Sequence, residues 1–469
     1  MNGIIIAADI GTTNVKCVVA DLNLKVLSMS ASEYPTRNTG YNCFEHDPLD
    51  WYKHFKIAMT DAVARSGMTT RDVKCVAMSA QAPTFLPVDG EGNPLHNALI
   101  WMDRRADRQC ERMRELVGND MVYSLTGNII DPYYVMPKIL WFKDNYPDLY
   151  AKTKAFLQVN GYVNYRLTGI MSIDDVHACL TLGYDARKNC WAREILDPLD
   201  VDPALFPEVY RVGDVIGGVS EKASGETGLP VGTPVLAGCP DAAAASVEAG
   251  VAPDGASAEM SGTSSVLMTV SDKVLTSEKL TYMRAAHGGW HTLLGCMSST
   301  GASLKWFRDT LYPSPDSPDA YDRMNDEIAK TCPEPTKLLF LPYMAGERSP
   351  LWDSGAKGAI YGLTLGTSRS EIIRAIFEGS ALALYDNYLA IVEAGGDIGV
   401  LRAVGGAANS PMWLKIKASV LDRPIEVPKT NLGAPGGMIA IIAHYLGLSP
   451  SIEKAAEGLL DIDRVIEPV

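Results

Sequence analysis

Near the start of the chain, two apolar runs, residues 4–8 and 15–21, flank Gly11-Thr12-Thr13, and the pattern reads as two strands joined by a tight turn. A hairpin, not a strand–helix–strand unit, therefore opens the fold. Further on, runs rich in Ile, Val and Leu alternate with longer helical patterns: residues 48–65 carry apolar side chains at helical spacing, 73–79 are strand-like, and 106–117 form a charged amphipathic helix. This is the grammar of α/β layers with a mixed sheet. A chain of 469 residues is too long for one hydrophobic core, so two large domains are expected. The Gly/Pro-rich stretch 228–240, followed by an Ala-rich helix from Asp241, is the natural divide. A long-range echo supports two similar halves: the Gly-Thr-Thr turn behind an apolar strand recurs as Ser261-Gly262-Thr263-Ser264 ahead of the apolar run 266–270. A third copy, Gly366-Thr367-Ser368, reads as an ordinary loop and helix cap, and 313–318 as a surface loop.

Composition removes several function classes. With 47% hydrophobic and 21% charged residues the chain has ample apolar surface to bury. A net charge of −14 with no run of Lys or Arg speaks against nucleic acid as a partner. The first residues hold no basic stretch and only about five apolar side chains, too few for a secretory signal. The longest later apolar stretch, 437–446, contains His444 and falls short of the roughly 20 residues that span a bilayer. No membrane association and a cytoplasmic location are expected. Nine cysteines, scattered and without a Cys-x-x-Cys pair, give neither a zinc spacing nor a complete disulfide framework, and read as reduced core thiols.

Several segments could carry chemistry. A turn of Gly and Thr exposes N–H groups and hydroxyls at one point and can cradle phosphate oxygens. Asp9 at its base suits Mg²⁺ held through water, or else completes an Asx turn. The P-loop, the Gly-x-Gly-x-x-Gly fingerprint, His-Glu-x-x-His and Gly-x-Ser-x-Gly are all missing, so nucleotide would be bound differently and hydrolase apparatus is absent. Asp241, at the mouth of the small-residue helix Ala242–Ala245, could take a proton from an attacking hydroxyl; it could equally cap the helix. Gln81, Trp101, Asp103 and Arg104 form a polar and aromatic set near the ends of two strands, which suits a polyol, although Trp101 taken alone fits a core position. The loop 405–410, Gly-Gly-Ala-Ala-Asn-Ser, could let a flat base lie on backbone with Asn409 offering its amide, or serve as a strand-to-helix turn.

Together with the stretch Gly358 to Glu378 (GAIYGLTLGTSRSEIIRAIFE) these signals form a pattern that resembles the FGGY family of carbohydrate kinases along nearly the whole chain. Tyr133 to Asn145, with Lys138 and Trp141, is similar to the family's other signature but carries Val135 where a small residue or Pro is usual. The resemblance implies two ribonuclease H-like domains of the actin and heat-shock-chaperone ATPase type, with the active-site cleft between them. Residues 1–246 would form the sugar-side domain and 247–469 the nucleotide-side domain. By position, Gly11, Thr12 and Thr13 are similar to the first phosphate motif, with Asp9 on the metal. Gly262 and Thr263 match the second phosphate motif, Gly301 a further nucleotide-side turn, and Gly406, Ala407 and Asn409 the adenosine motif. Asp241 falls where the family has its catalytic base. ATP and Mg²⁺ are the implied cofactors, and a homodimer stays open.

Gln81 and Ala82 lie in Ala80-Gln81-Ala82-Pro83, where xylulose kinases carry Gly-Gln-Met-His and glycerol kinases carry Gln followed by Arg and Glu. Losing Arg and Glu removes the groups that would hold glycerol. The segment 100–105 (Ile-Trp-Met-Asp-Arg-Arg) looks nearest to the xylulose-kinase branch, so a ketopentose is the expected substrate, with gluconate or another open-chain sugar as the alternative. A reading of another class, a chaperone-like ATP switch, would need neither Asp241 nor a polyol-facing set.

Overall fold

The computed structural model of the chain describes residues 3–253, 255–313, 317, 319–429 and 432–469. The chain forms two compact units, one of residues 1–248, 283–290 and 432–459, the other of 249–282, 291–431 and 460–469. Two stretches from the second half of the sequence are thus part of the first unit. Most of the loop expected at 313–318 lies outside the described residues.

The first unit is built on a six-stranded sheet. Its strands are β1 (Ile4–Ile10), β2 (Asn14–Asp21), β3 (Val26–Glu33), β4 (Val73–Ala80), β5 (Val215–Gly218) and β6 (Pro234–Leu236), in the order β5-β6-β4-β1-β2-β3. β1 is antiparallel to β2 and parallel to β4, and β4 is parallel to β6. Both faces of β1 are covered, which is why Ile4, Ile5 and Ile6 in succession are all buried. The helix α1 (Pro48–Arg65) lies across β2 and β3. It starts where Asp47 accepts the Leu49 N–H and Pro48 supplies its fixed φ, and it buries Trp51, Tyr52, Phe55, Ala58, Met59, Ala62 and Val63 at helical spacing. The helix α2 (Asp241–Glu248) follows β6.

The second unit repeats this plan. A seven-stranded sheet contains β7 (Ser257–Ser261), β8 (Ser265–Ser271), β9 (Thr281–Arg284), β10 (His291–Met297), β11 (Leu401–Val404), β12 (Ile425–Pro428) and β13 (Ile462–Ile466), ordered β9-β10-β8-β7-β11-β12-β13. β7 is antiparallel to β8 and parallel to β11, and β11 is parallel to β12. From β3 to β5 in one sheet and from β10 to β13 in the other, order and direction correspond strand for strand, so the echo between the two Gly-Thr turns marks a repeat of whole sheets. The helix α3 (Thr300–Leu311) follows β10, and the 25-residue α4 (Arg369–Glu393) starts at a reciprocal cap between Ser368 and Glu371. The tripeptide Gly366-Thr367-Ser368 is therefore a helix cap. α5 (Pro411–Leu421) follows the loop after β11. No disulfide joins the nine cysteines; six are buried, while Cys43 and Cys332 are half-buried and Cys190 is exposed, a correction to their reading as uniformly core thiols.

Candidate active site

In the first unit, three parallel strands deliver their C-terminal ends side by side. β1 runs into Gly11, whose N–H closes the turn on Asn14 O at 3.0 Å. β4 runs into Gln81, whose N–H reaches Ile10 O at 3.0 Å. β6 leads through Gly238 to Cys239, whose carbonyl accepts the Ala80 N–H at 3.2 Å, and a bridge pairs Ala80 with Pro240. Gly238 is obligatory, since a Cβ there would stand 1.8 Å from Met78 O. The turn 11–13, residues Gln81–Ala82, and Asp241 thus leave the sheet at neighbouring positions, the edge where open α/β sheets bind ligands.

Asp9 is the penultimate residue of β1, opposite Lys16 and Ser79. Its Oδ1 accepts from Ser79 Oγ at 2.8 Å. Burial raises its pKa, a trend opposed by the Ser79 hydrogen bond and by Lys16. A carboxylate so placed gains from a cation nearby. Among the described residues no group of three or more His, Cys, Asp or Glu side chains could cage a metal ion. One carboxylate beside a turn of N–H groups and hydroxyls fits a hydrated Mg²⁺ bridged to phosphates, the usual habit of that ion.

Behind the turn runs a chain of neutral groups. Trp101 Nε1 donates to Thr12 Oγ1 at 2.9 Å, and Thr12 Oγ1 donates to Gln81 Oε1 at 3.3 Å. Gln81 Nε2 donates to His46 Nδ1 at 2.9 Å, and that same nitrogen accepts from Trp51 Nε1 at 3.2 Å. Two donors aimed at Nδ1 leave the proton on Nε2, which faces Thr36 Oγ1 at 3.0 Å. Burial pushes the His46 pKa down to about 4. Gln81 is only 1% exposed, so its amide acts through Thr12 and not on open solvent. Ala82 is half-buried, and its carbonyl accepts from Tyr133 Oη at 3.3 Å.

The expected sugar-side set is divided by the structure. Trp101 is half-buried, whereas Asp103 is fully buried with its carboxylate taken up by Phe44 N at 2.7 Å and Arg105 Nε at 2.9 Å. Arg104 pairs with Asp131 at 2.8 Å. Lys138, wholly buried, donates to Ile100 O at 2.8 Å and Tyr133 O at 3.0 Å, tying Tyr133 to the turn that carries Trp101; burial lowers its pKa to about 7. Asp241 is half-buried as the first residue of α2 and accepts the Ala242 N–H at 2.7 Å. The small residues behind it serve a neighbouring helix: a Cβ on Gly437, in the helix Ala434–Tyr445, would meet Ala244 O at 1.9 Å.

In the second unit, three turns close on one another. Gly262 N–H bonds Ser264 O at 2.8 Å, and Ala302 N–H bonds Thr263 O at 2.9 Å. A Cβ on Gly301 would come within 2.1 Å of Gly262 O. Gly405 has φ +89° and leaves only 2.6 Å between a Cβ and Ser261 O. These turns line a cavity of about 450 Å³ that includes all six residues expected on the nucleotide side of this unit: Gly262, Thr263, Gly301, Gly406, Ala407 and Asn409. Tyr321, Asn325, Phe377 and Trp413 also line it, together with the charged Lys305 and Asp322. Asn325 Oδ1 accepts from Ser410 Oγ at 2.6 Å, which joins the wall to the cap of α5. Backing the turns is a buried ion pair: Lys417 Nζ lies 2.7 Å from Glu259 Oε1 and donates to Ser261 Oγ at 2.8 Å. Ser261 Oγ meets Ser265 Oγ at 2.5 Å, which meets Thr300 Oγ1 at 2.7 Å.

Sequence reading missed His46, Tyr133, Glu259, Tyr321, Asn325 and Lys417 as contributors. Tyr133 alone had a local signal, its place at the head of the 133–145 segment.

Residues 4–247 match the family model for the FGGY family of carbohydrate kinases, N-terminal domain, and residues 258–445 match the C-terminal domain of the same family. The chain is 28% identical over 461 residues to a xylulose kinase of Bacillus subtilis (strain 168), covering 97% of this chain and 91% of the relative. It is 28% identical over 484 residues to a glycerol kinase of Allorhizobium ampelinum, covering 100% and 95%. A gluconate kinase structure from Lactobacillus acidophilus shares the fold, with a TM-score of 0.89 at 23% identity over 100% of this chain and 94% of that one.

Proposed function

Because the chain belongs to the FGGY family of carbohydrate kinases, and is a sugar kinase of a family that uses ATP, we propose that it phosphorylates a hydroxyl of an open-chain ketopentose such as xylulose. The observation that carries this reading is the meeting of three strand ends, which brings the Gly11-Thr12-Thr13 turn, Gln81–Ala82 and Asp241 to one edge of one sheet. Asp241 acts as general base. It takes the hydroxyl proton as the sugar oxygen bonds to the γ-phosphorus and the bond to the β–γ bridging oxygen breaks, releasing ADP. Its place at the start of α2 favours the ionised carboxylate.

Gly11, Thr12 and Thr13 offer donors to the transferring phosphate. Gly262, Thr263 and Gly301 hold the remaining phosphates, and Gly406, Ala407 and Asn409 receive the base and ribose, a division supported by the 450 Å³ cavity they line. Mg²⁺ on Asp9 would neutralise charge on the phosphates. On the sugar side Trp101 and Ala82 face the substrate, while Gln81 and Asp103 hold those two turns in place. Residues 1–246 supply the sugar side, and the part of 247–469 that packs in the second unit supplies the nucleotide side. A cytoplasmic location follows from the substrates, and among the described residues no helix is long and apolar enough to cross a membrane.

Xylulose is favoured by the segment 100–105 and by the xylulose kinases among the relatives. Ala82-Pro83 stand where xylulose kinases carry Met-His, so gluconate or another open-chain sugar is the alternative. ADP release with Mg²⁺ across pentuloses, aldonates and glycerol decides between them. Xylulose should give the highest kcat/KM; a higher value for gluconate or glycerol overturns the substrate assignment. Asp9→Ala should raise the Mg²⁺ requirement with little change in sugar affinity, and an unchanged Mg²⁺ titration would remove Asp9 from the metal site.

A further inference from the structure

The first unit holds a second cavity, of about 660 Å³, whose walls include none of the residues assigned above to sugar or nucleotide. Four segments meet there: Asp175, the loop 211–214, the tip 284–289 after β9, and the helix Ala434–Tyr445 with Ile452. Two of its polar groups are anchored. Arg284 lies 3.4 Å from Asp175 Oδ2 and also donates to Asn189 Oδ1, while His287 Nδ1 sits 3.0 Å from Glu453 Oε1. Two others are uncommitted. The Arg211 guanidinium makes no hydrogen bond among the described residues, although it attracts the Asp175 carboxylate, and the His444 ring has only a 3.4 Å contact with Ser449 O. Gly289, with φ +69°, has nothing within 4 Å of where a Cβ would stand and leaves its backbone bare, whereas a Cβ on Gly288 would meet the Trp290 ring at 2.6 Å. Ile441, Tyr445 and Ile452 add an apolar wall.

A guanidinium without a hydrogen-bond partner, beside two imidazoles and open backbone, can receive phosphate oxygens even with Asp175 and Asp214 in the same wall, since Asp214 is turned to the Arg211 backbone N–H. Asp175 faces Arg284 and Arg211 and takes the Val212 N–H, and its remaining lone pairs accept from hydroxyls. The volume is in the range of small-molecule sites and exceeds what a bare phosphate fills. We propose that this cavity is a second ligand site, which takes a small phosphate ester of a polyol, with the phosphate on Arg211, His287 and His444 and the hydroxyls on Asp175. The site is latched to the candidate base. Gly213 N–H bonds Ala237 O at 2.8 Å and Ala237 N–H bonds Asp214 O at 2.8 Å, four residues before Asp241. The helix carrying Ile441 and His444 also packs on α2. Occupancy therefore fixes the loop that holds the approach to Asp241, and the ester is a regulator of turnover. Binding is independent of the proposed reaction; only this effect on turnover rests on it.

Calorimetric titration of the full chain with glycerol 3-phosphate, under a saturating non-hydrolysable ATP analogue, tests the site. Saturable binding is expected, with glycerol itself giving no heat and Arg211→Ala or His444→Ala weakening the ester about tenfold or more, the usual cost of losing a charged hydrogen-bond partner. Both side chains are exposed, so the variants keep their fold. Asp241→Asn should bind the ester as the wild type does, whatever the enzyme's sugar proves to be. Absence of saturable binding, equal affinity in Arg211→Ala, or loss of binding in Asp241→Asn would each overturn the proposal, the last by placing the ester in the reaction site.

Discussion

The two Gly-Thr hairpins are repeats of one design, yet the units place their charge on opposite sides of them. In the first unit the carboxylates Asp9 and Asp241 stand at the strand ends, and the chain behind the turn, Trp101–Thr12–Gln81–His46–Trp51, is uncharged. In the second unit the turns themselves offer backbone and hydroxyls, with Lys305 and Asp322 on the cavity wall beside them, and the buried charge lies behind in Lys417 and Glu259, 2% and 1% exposed. Lys16, opposite Asp9 on β2, already compensates its carboxylate in part; a second ammonium packed behind the turn would compete further with a metal ion for it, because charges act strongly at low dielectric. Behind the second turn the ammonium is already matched by Glu259, so it adds no net charge toward a phosphate and instead bolts β7, β8, α3 and α5 together. In the proposed reaction charge in front does chemistry, while charge behind holds shape.

The largest effects should separate these roles. Asp241→Asn removes charge in front, and kcat should fall by about 10²–10⁴-fold, the usual worth of a positioned general base, with Tm and ATP affinity nearly unchanged. Near wild-type turnover at saturating sugar would take Asp241 out of the mechanism. Lys417→Met removes charge behind and leaves Glu259 buried and unpaired, with Oε2 already lacking a partner. A loss of about 3–5 kcal/mol in denaturant unfolding is expected, together with weaker ADP binding. Adding Glu259→Gln should recover part of both. A Lys417→Met protein of wild-type stability that nevertheless fails to bind ADP would show that the ammonium touches the nucleotide, and the contrast between the units would collapse.

What could be read in the sequence follows the same line. Groups in front sit on short motifs: Asp9-Ile-Gly-Thr-Thr, Pro240-Asp241-Ala and Gly405-Gly-Ala-Ala-Asn declare themselves because a turn needs glycine and a ligand needs bare backbone. Groups behind do not. Lys417 and Glu259 are 158 residues apart, and Gln81 and His46 are 35 apart, separations that leave no periodicity or spacing to detect. The same holds for residues 283–290 and 432–459, which lie in the second half of the sequence but pack in the first unit. Asp103 failed the other way: beside Trp101 it reads as a sugar ligand, yet the fold spends its carboxylate on Arg105 and Phe44. The most distinctive stretch, 358–378, contains the Ser368–Glu371 cap of α4 and also gives Phe377 to the wall of the 450 Å³ cavity.

A smaller effect tests the neutral chain. Gln81→Ala strips His46 Nδ1 of one donor and Thr12 Oγ1 of its acceptor, and should cost about 1–3 kcal/mol in unfolding free energy, the range for orphaned buried polar groups. KM for the sugar should rise more than kcat falls, because Thr12 and Trp101 lose their alignment while Asp241 is untouched. A variant with unchanged stability and KM would mean that Thr12 and Trp101 hold their places without the chain.

The last effect is a pH dependence that the neutral chain implies and the ionic one does not share, absent at pH 7 and growing toward pH 4. The His46 pKa is pushed down to about 4 by burial, below an ordinary value of 6.5. Between those values the unfolded chain binds a proton that the folded chain refuses, so acid favours unfolding; stability from this residue is fully present above pH 6.5 and is lost as pH falls toward 4. His46→Gln keeps an amide oxygen able to accept from Trp51 or Gln81 and cannot titrate. Its denaturation midpoint should be lower than wild type at pH 7, where the imidazole fits better, and the gap should narrow steadily down to pH 4. Asp and Glu residues also titrate over the lower part of this window, but they are common to both proteins and cancel in the difference. A gap of constant size from pH 7 to pH 4 would mean that His46 takes up its proton in the folded state, and then the chain behind the first turn would carry charge after all.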